Sequence, residues 1–152
     1  MPVTEQDKLG LEGLRVWQRA LELAVVICQE TLPVFPPEEK YALAQQLRRS
    51  AQSIPSNIAE GHGRYYYQEG IRFCYIARGS IEETRSHISL ANQLGYLEDK
   101  RCQMLTESLD DLRRMLSGYI KYLKQSKRGH QEPGSKIYDR LSEEYPDSSA
   151  TE

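Results

Sequence analysis

Between Leu47 and Ile58 the apolar residues Leu47, Ala51, Ile54 and Ile58 recur at steps of four, three and four, which places them on one face of a helix. Pro55 stands inside that face. Its ring removes a backbone N–H and crowds the carbonyl of Ala51, so a helix through this stretch bends there and needs something to satisfy the freed carbonyl. Ser53, Ser56 and Asn57 surround the break with short hydrogen-bonding side chains. A bent, amphipathic helix of this kind has to be buried against other helices, and the rest of the chain supplies them.

Residues 1–13 are polar, with two glycines, and read as a flexible lead-in. A first helix then runs from about Leu14 to Leu32 and stops against Pro33. Trp17, Leu21, Ala24, Cys28 and Leu32 make its main stripe, and Val16, Leu23 and Ile27 carry apolar surface further round. A helix on the outside of a monomeric bundle needs an apolar arc of about 100° or slightly more. The wider arc here points to a second buried contact, read as self-association; a helix sunk deeply into its own bundle is the alternative.

Phe35-Pro36-Pro37 forms the turn into a second helix, with Glu38 and Glu39 where the helix dipole favours acid. That helix continues through Pro55 to about Gly61, where Gly61-His62-Gly63 reads as a C-cap. Arg64-Tyr65-Tyr66-Tyr67 makes the joint. A third helix, from about Gln68 to Leu94, builds its face from Phe73, Ala77, Ile81, Ile88 and Ala91, widened by Ile76 and Leu94. Gly79 and Ser80 are small at mid-helix and predict a close approach by a neighbour. Gly95 reads as the residue just past the helix end. A fourth helix, from about Lys100 to Lys127, packs through Cys102, Leu105, Leu109, Leu112, Leu116, Tyr119 and Leu123. Four amphipathic helices on short connections predict an all-α fold, an antiparallel up-down-up-down four-helix bundle over residues 14–128.

Residues 129–152 are rich in Gly, Pro, Ser and acid and lack the apolar content to fold alone, which predicts a disordered tail. Ile137, Tyr138 and Leu141 are the exception, a candidate docking turn. Charge follows the same division. Through Arg128 the chain carries 18 Lys and Arg against 16 Asp and Glu, a net +2, and the remainder carries 2 against 6, a net −4. No apolar run approaches the roughly 20 residues that span a bilayer, and the opening residues are acidic where a signal peptide is basic and then apolar, so the expected location is the cytoplasm and no membrane partner is expected. Cys28, Cys74 and Cys102 lie far apart, each on or near the apolar face of its helix, and read as buried thiols in a reducing compartment.

The catalytic constellations are incomplete. Di-iron bundles take Glu-x-x-His pairs from two helices, whereas this chain has Glu83 and His87 four apart and inward positions of Leu, Met, Cys and Tyr on its fourth helix, so neither a metal nor a cofactor is expected. Glu83, His87, Ser80, Asn57 and Glu60 read instead as a structural polar network around the Pro55 break. No Gly-x-Ser-x-Gly elbow or phosphate-cradling loop is present, and no catalytic residue is assigned. Cations form a clearer pattern. From Arg113 to Arg128 there are six basic residues and no acid, and Arg114, Lys121 and Arg128 recur every seven positions with Lys124 beside them. Such a line can follow a phosphate backbone and release counterions. Arg48, Arg49 and Arg64 add charge, and Tyr65 to Tyr67 offer rings on which bases can stack. The alternative is a solvated outer face with Lys and Arg favoured at a helix C-terminus.

The run Ser53-Ile-Pro-Ser-Asn-Ile-Ala-Glu-Gly61, then Gly63-Arg64, Phe73, Ile76-Ala-Arg-Gly-Ser80 and Glu83, resembles the bacterial four-helix bundle family of 23S rRNA intervening-sequence proteins, which is related to the accessory variability proteins of diversity-generating retroelements. The resemblance covers roughly Leu14 to Arg128. It implies a ring-forming homo-oligomer, typically a pentamer, with RNA or DNA as partner and, through the retroelement relatives, a partner protein such as a reverse transcriptase. Ser53, Pro55, Asn57, Glu60, Gly61, Gly79, Ser80 and Glu83 match the motif and read as architectural. The chain departs from the strongly basic retroelement proteins in its slight net acidity. The functional expectation is a non-catalytic, ring-forming bundle that binds nucleic acid through its surface cations, with a protein-interaction scaffold as the alternative.

Overall fold

A computed structural model of the chain describes residues 10–64 and 66–126. Among them the fold is carried by four helices, α1 (Arg15–Val26), α2 (Leu43–His62), α3 (Tyr67–Gln93) and α4 (Asp99–Ser126), with no strand. Each helix packs on the next, and α1 closes the square against α4, so α2 and α4 stand on one diagonal. Contacts along the seams run in opposite senses. Ser50 meets Thr84 while Ser53 meets Ser80, and Arg85 meets Asp110 while Lys124 meets Tyr75, which is the antiparallel arrangement. Helix α1 follows a 3-10 turn over Leu11–Gly13, while Lys127, Arg128 and the acidic tail with Ile137, Tyr138 and Leu141 lie outside the described residues, as does Tyr65.

The core follows the predicted faces of α2 and α4 and the Ala77, Ile81, Ile88 and Ala91 line of α3; the expected widening of the α3 face is corrected, since Ile76 and Leu94 are exposed and Phe73 is half-buried. Leu47, Ala51, Ile54 and Ile58 face Ala77, Ile81 and Ile88, and Leu109, Leu112 and Leu116 complete the interior, all buried. Ile71 and Ile120 join them, core positions beyond the predicted faces, with Cys74, a buried thiol as expected, whereas Cys102 is only half-buried.

The predicted stripe of α1 is corrected. Val16, Ala20, Leu23, Ala24 and Ile27 are buried, whereas Leu21 is 41% exposed and Trp17 and Cys28 are only half-buried. The apolar arc is continuous, so helical spacing alone could not say which part faces inward. The helix also changes pitch: after Val26 it continues as a π turn over Ile27–Thr31 and a 3-10 turn over Leu32–Val34. The π turn turns the chain toward the Pro33 stop, and Arg101 ties it to α4 through Glu30 at 3.6 Å.

Helix α2 starts later than Pro37. Pro37–Glu39 is a separate 3-10 turn, and α2 opens at Leu43, whose N–H donates to Glu39 Oε2 at 3.0 Å. The other carboxylate oxygen accepts from Tyr96 Oη at 2.9 Å, joining the α1–α2 connection to the α3–α4 connection. That hydrogen bond, with smaller contributions from burial and neighbouring acid, pushes the Tyr96 phenol up. Pro55 is accommodated inside α2 and is buried.

The predicted glycine roles divide. Gly95 adopts φ 79°, with Gly95 N–H donating to Asn92 O and Tyr96 N–H to Ala91 O, the paired bonds of a Schellman ending. Gly61 is not a cap: α2 continues through it to His62, and Gly61 is buried against α3. A Cβ there would stand 2.9 Å from Gly70 O and 2.9 Å from the Phe73 Cβ. Gly79 shows the reverse. A Cβ on it would meet nothing within 4 Å, so the close approach expected at mid-helix three is not made there. Gly61 and Gly70 make it one end of the seam, and the small Ser80 makes it further along.

Candidate nucleic-acid interface

The seam between α2 and α3 carries a run of hydrogen-bonded polar side chains. Asn57 Nδ2 donates to Ser53 Oγ at 2.9 Å and to Ser53 O at 2.8 Å, and the Ser53 and Ser80 hydroxyls share a hydrogen bond at 2.8 Å in which either can donate. Thr84 Oγ1 lies 2.7 Å from Ser80 O and 3.0 Å from Ser50 Oγ, and Ser50 Oγ lies 3.1 Å from Leu47 O. Thr84 and Ser50 have two protons for these three contacts: with Thr84 giving its own to the Ser80 carbonyl, Ser50 donates either to Thr84 Oγ1 or to Leu47 O, not to both. The expected network is therefore found in part. Ser53, Asn57 and Ser80 are joined, but Glu83 pairs with His87 on the exposed side of α3 at 3.3 Å, and Glu60 pairs with Arg64 at 2.6 Å. These two pairs are separated because their carboxylates reach water at lower cost than a buried seam. Ser50 and Thr84 were the missing members. Each sits three residues after a core residue and four before the next, so the signal was a hydroxyl in core register.

Of the predicted cations, Arg48, Arg49, Arg64, Arg114 and Lys121 are exposed and Lys124 is half-buried, and they do not make one patch. Arg114 is 74% exposed and donates from Nη2 to Asp111 Oδ1 at 2.6 Å. Lys121 is exposed one heptad on, about 10 Å along the helix. Lys124 turns toward α3, with Nζ 3.4 Å from Tyr75 Oη and 6.0 Å from the ring centroid, while Arg78 covers the same ring at 4.7 Å. Arg78 was not singled out by spacing and joins Lys124 in a small cationic cluster on the α3–α4 seam. Arg64 stands at the joint with its guanidinium 5.2 Å over the Phe73 ring. Arg48 and Arg49 are exposed on α2, the helix diagonal to α4. One protomer thus carries two cationic rows on opposite corners, and Arg128 lies outside the described residues. Arg113 is drawn into an α3–α4 bridge with Glu82 at 3.8 Å.

Among the described residues no group of three or more His, Cys, Asp or Glu is placed to hold a metal ion, and no helix is long and apolar enough to cross a membrane. What the surface does carry is cations on two corners and an outer apolar strip on α1, where Val25 is 44% exposed beside Leu21.

An antiparallel four-helix bundle with a hydroxyl-lined α2–α3 seam and a glycine crossing at its joint is the class these features define. The sequence model of the 23S rRNA-intervening sequence proteins matches residues 12–118, and the chain belongs to that family. A crystal structure of a protein of unknown function from the S23 ribosomal protein family of Bacteroides thetaiotaomicron superposes with a TM-score of 0.64 at 24% identity, covering 70% of this chain and 98% of that one. At that identity it establishes the fold. No protein with a curated description matches the chain.

Proposed function

We propose that the protein is a non-catalytic, cytoplasmic, ring-forming homo-oligomer, a pentamer as in the ring assemblies the family resemblance implies, that associates with RNA or DNA through its surface cations. The observation that carries this reading is the charge pattern of two diagonal helices. Between Lys40 and Glu60 the chain has no acid and exposes Arg48 and Arg49, and from Arg113 to Ser126 it has no acid and exposes Arg114 and Lys121. Each row is short. A protomer that neutralises only a few phosphates binds weakly, whereas a closed ring multiplies the contacts and raises the effective concentration of each. The outer strip of α1 supplies apolar surface for the ring contact.

A second reading has its own support. Arg114 and Arg64 already hold carboxylates, which reduces the charge they offer to phosphate, and the apolar α1 strip suits a protein partner equally well. In that case the protein is an interaction scaffold, with a reverse transcriptase among the partner types its relatives suggest.

Light scattering combined with RNA and DNA titrations at low and moderate salt separates the two. The nucleic-acid reading expects a closed oligomer whose affinity falls steeply with salt and is lost in an Arg48→Gln/Arg49→Gln/Arg114→Gln/Lys121→Gln variant that keeps its mass. An oligomer indifferent to nucleic acid at low salt leaves the scaffold reading.

A further inference from the structure

The π turn at the end of α1 holds one residue more than an α-helical turn needs. Leu32 N–H donates to Ile27 O, five residues back, where an α-helix would carry that bond to Cys28, four back. Leu32 is buried, so it fixes the rotation of the helix before it. Counted back from Leu32 through the π turn, the inward positions are Ile27, Leu23, Ala20 and Val16, and all four are buried. Counted back along an unbroken α-helix they are Cys28, Ala24, Leu21 and Trp17. The second set is the first moved on by one residue at every position. The chain thus carries two complete stripes, and the extra residue selects between them.

Thr31 marks the π register as one held at a cost. It is fully buried, and its Oγ1 has no hydrogen-bond partner. In an unbroken helix a threonine hydroxyl can return to the carbonyl four residues back, here Ile27 O, and the π turn gives that carbonyl to Leu32. Straightening the turn moves each residue of α1 into the place of the one before it. Trp17, Leu21, Ala24 and Cys28 then enter the core. Leu21 for Ala20 is set against Ala24 for Leu23, and Trp17 for Val16 against Cys28 for Ile27, so the stripe roughly keeps its volume. The outer places of Trp17, Leu21, Val25 and Cys28 pass to Gln18, Glu22, Val26 and Gln29, and three of the four become polar. On the other flank α1 and α4 leave an open groove of about 270 Å³, with Arg19, Glu22 and Val26 on one wall and Met104, 57% exposed, on the other. Ala20, Leu23 and Ile27 take the places of those three and bring apolar surface over Met104.

We propose that α1 is a two-register helix: the π turn holds the register that shows the apolar strip from Trp17 to Cys28, and straightening the turn withdraws that strip into the core. The change is a rotation of one helix by about 100°, one residue's worth, within an intact bundle. Its consequence for assembly rests on the self-association reading above. A second copy of the chain that covers the strip binds only the π register and shifts the helix toward it.

The test uses two changes in the full-length protein. Deleting Gln29 removes the extra residue, so that Ile27 lies four before Leu32 and an unbroken helix presents the described face. Ala20→Arg disfavours that face, because Ala20 is fully buried, whereas in the straight register the arginine takes the exposed place of Arg19. The deletion alone is expected to fold and to melt no lower than wild type. In melts of dilute protein, Ala20→Arg should lower the melting temperature by about 5 °C or less in the wild-type background. In the deletion background, where no second register is within reach, the loss should be about 15 °C or more. Trp17 is the single tryptophan, and in Ala20→Arg its emission should move to shorter wavelength as the indole enters the core. Light scattering of that variant should show the wild-type oligomer dispersed. Equal losses in the two backgrounds overturn the proposal, as does a deletion variant that fails to fold or an emission that does not move to shorter wavelength. An Ala20→Arg variant that keeps the mass of a wild-type oligomer overturns the withdrawal of the strip. A wild type that is monomeric at every concentration overturns the self-association reading alone, since the melts and the emission still decide the register.

Discussion

Gly61 and Gly70 cross so closely that a Cβ on Gly61 would stand 2.9 Å from the Gly70 carbonyl oxygen, inside any permitted contact. The neighbour is backbone, so nothing flexible can move aside. Gly61→Ala should therefore force α2 and α3 apart at the joint and cost about 1–3 kcal/mol, the usual penalty for overpacking. Gly79→Ala is the matched opposite. Its Cβ meets nothing within 4 Å, and removing a glycine from a helix interior should stabilise by roughly 0.5–1 kcal/mol. Thermal melts of the two variants are expected to move in opposite directions, and a parallel loss would contradict the crossing geometry.

The hydroxyl seam predicts a different signature. Thr84→Val keeps the shape of a fully buried side chain but removes both its hydrogen bond to Ser80 O and its contact with Ser50 Oγ. The expected cost is about 1–2 kcal/mol, since the Ser80 carbonyl keeps its helical partner while Ser50 can turn fully to Leu47. In combination with Ser53→Ala the two costs should fall short of or exceed their sum by a measurable coupling, because Ser80 joins both. Additivity within error in urea melts would show that the seam is two independent pairs.

Burial pushes the Cys74 thiol up from 9.0 to about 12. The native state then keeps a proton that the unfolded chain releases near 9. A group whose pKa folding raises contributes its full stability below the unfolded value and loses it as pH climbs to the folded one. Stability should thus fall between about pH 9 and about pH 12, with a slope approaching 1.4 kcal/mol per pH unit from this thiol. Tyr96, raised by its hydrogen bond to Glu39, works in the same direction above its ordinary 10.0. Urea melts near pH 8 and near pH 10 should show a larger loss for wild type than for Cys74→Ala. In the same native protein a thiol reagent should label the half-buried Cys28 and Cys102 well before Cys74.

How far the sequence anticipated this structure depended on whether one residue type had one physical use. Helix α3 and the start of α4 could be placed within about a residue, because a single narrow stripe such as Leu105, Leu109, Leu112 and Leu116 has only one way to face a core. Gly95 was legible because Leu94, Gly95 and the acidic start of α4 make sense only as an ending and a beginning. Gly61 was not, since a capping glycine and a glycine at a backbone crossing look alike until the partner Gly70 is known to lie opposite. The inward stripe of α1 failed for a related reason: Trp17, Leu21 and Cys28 are as apolar as Val16, Ala20 and Leu23, and only the positions of α2 and α4 decide between them. Arg48, Arg49, Arg64, Arg114 and Lys121 are exposed, while Lys124 turns onto the Tyr75 ring. Their division between diagonal corners is a property of topology, which spacing along one helix does not contain.

The misjudged stripe gives the last prediction. Leu21 and Val25 lie one turn apart on the outside of α1, with the half-buried Trp17 one turn before them, and together they leave a continuous apolar strip in water. Their solvent exposure means that a polar replacement costs the protomer little, since surface changes away from packed contacts stay within about 0.5 kcal/mol. If the strip is the ring contact, the same replacement buries a charge in that contact and costs several kcal/mol per interface. Leu21→Glu with Val25→Glu should therefore keep the helical circular dichroism and lower the solution mass toward that of a 17.5 kDa protomer. Binding to nucleic acid should weaken with it, because the loss of multivalency removes most of the affinity even though every cation remains. A variant that keeps the wild-type mass would place the assembly contact elsewhere, with the exposed Ile76 and Leu90 face of α3 the next surface to alter.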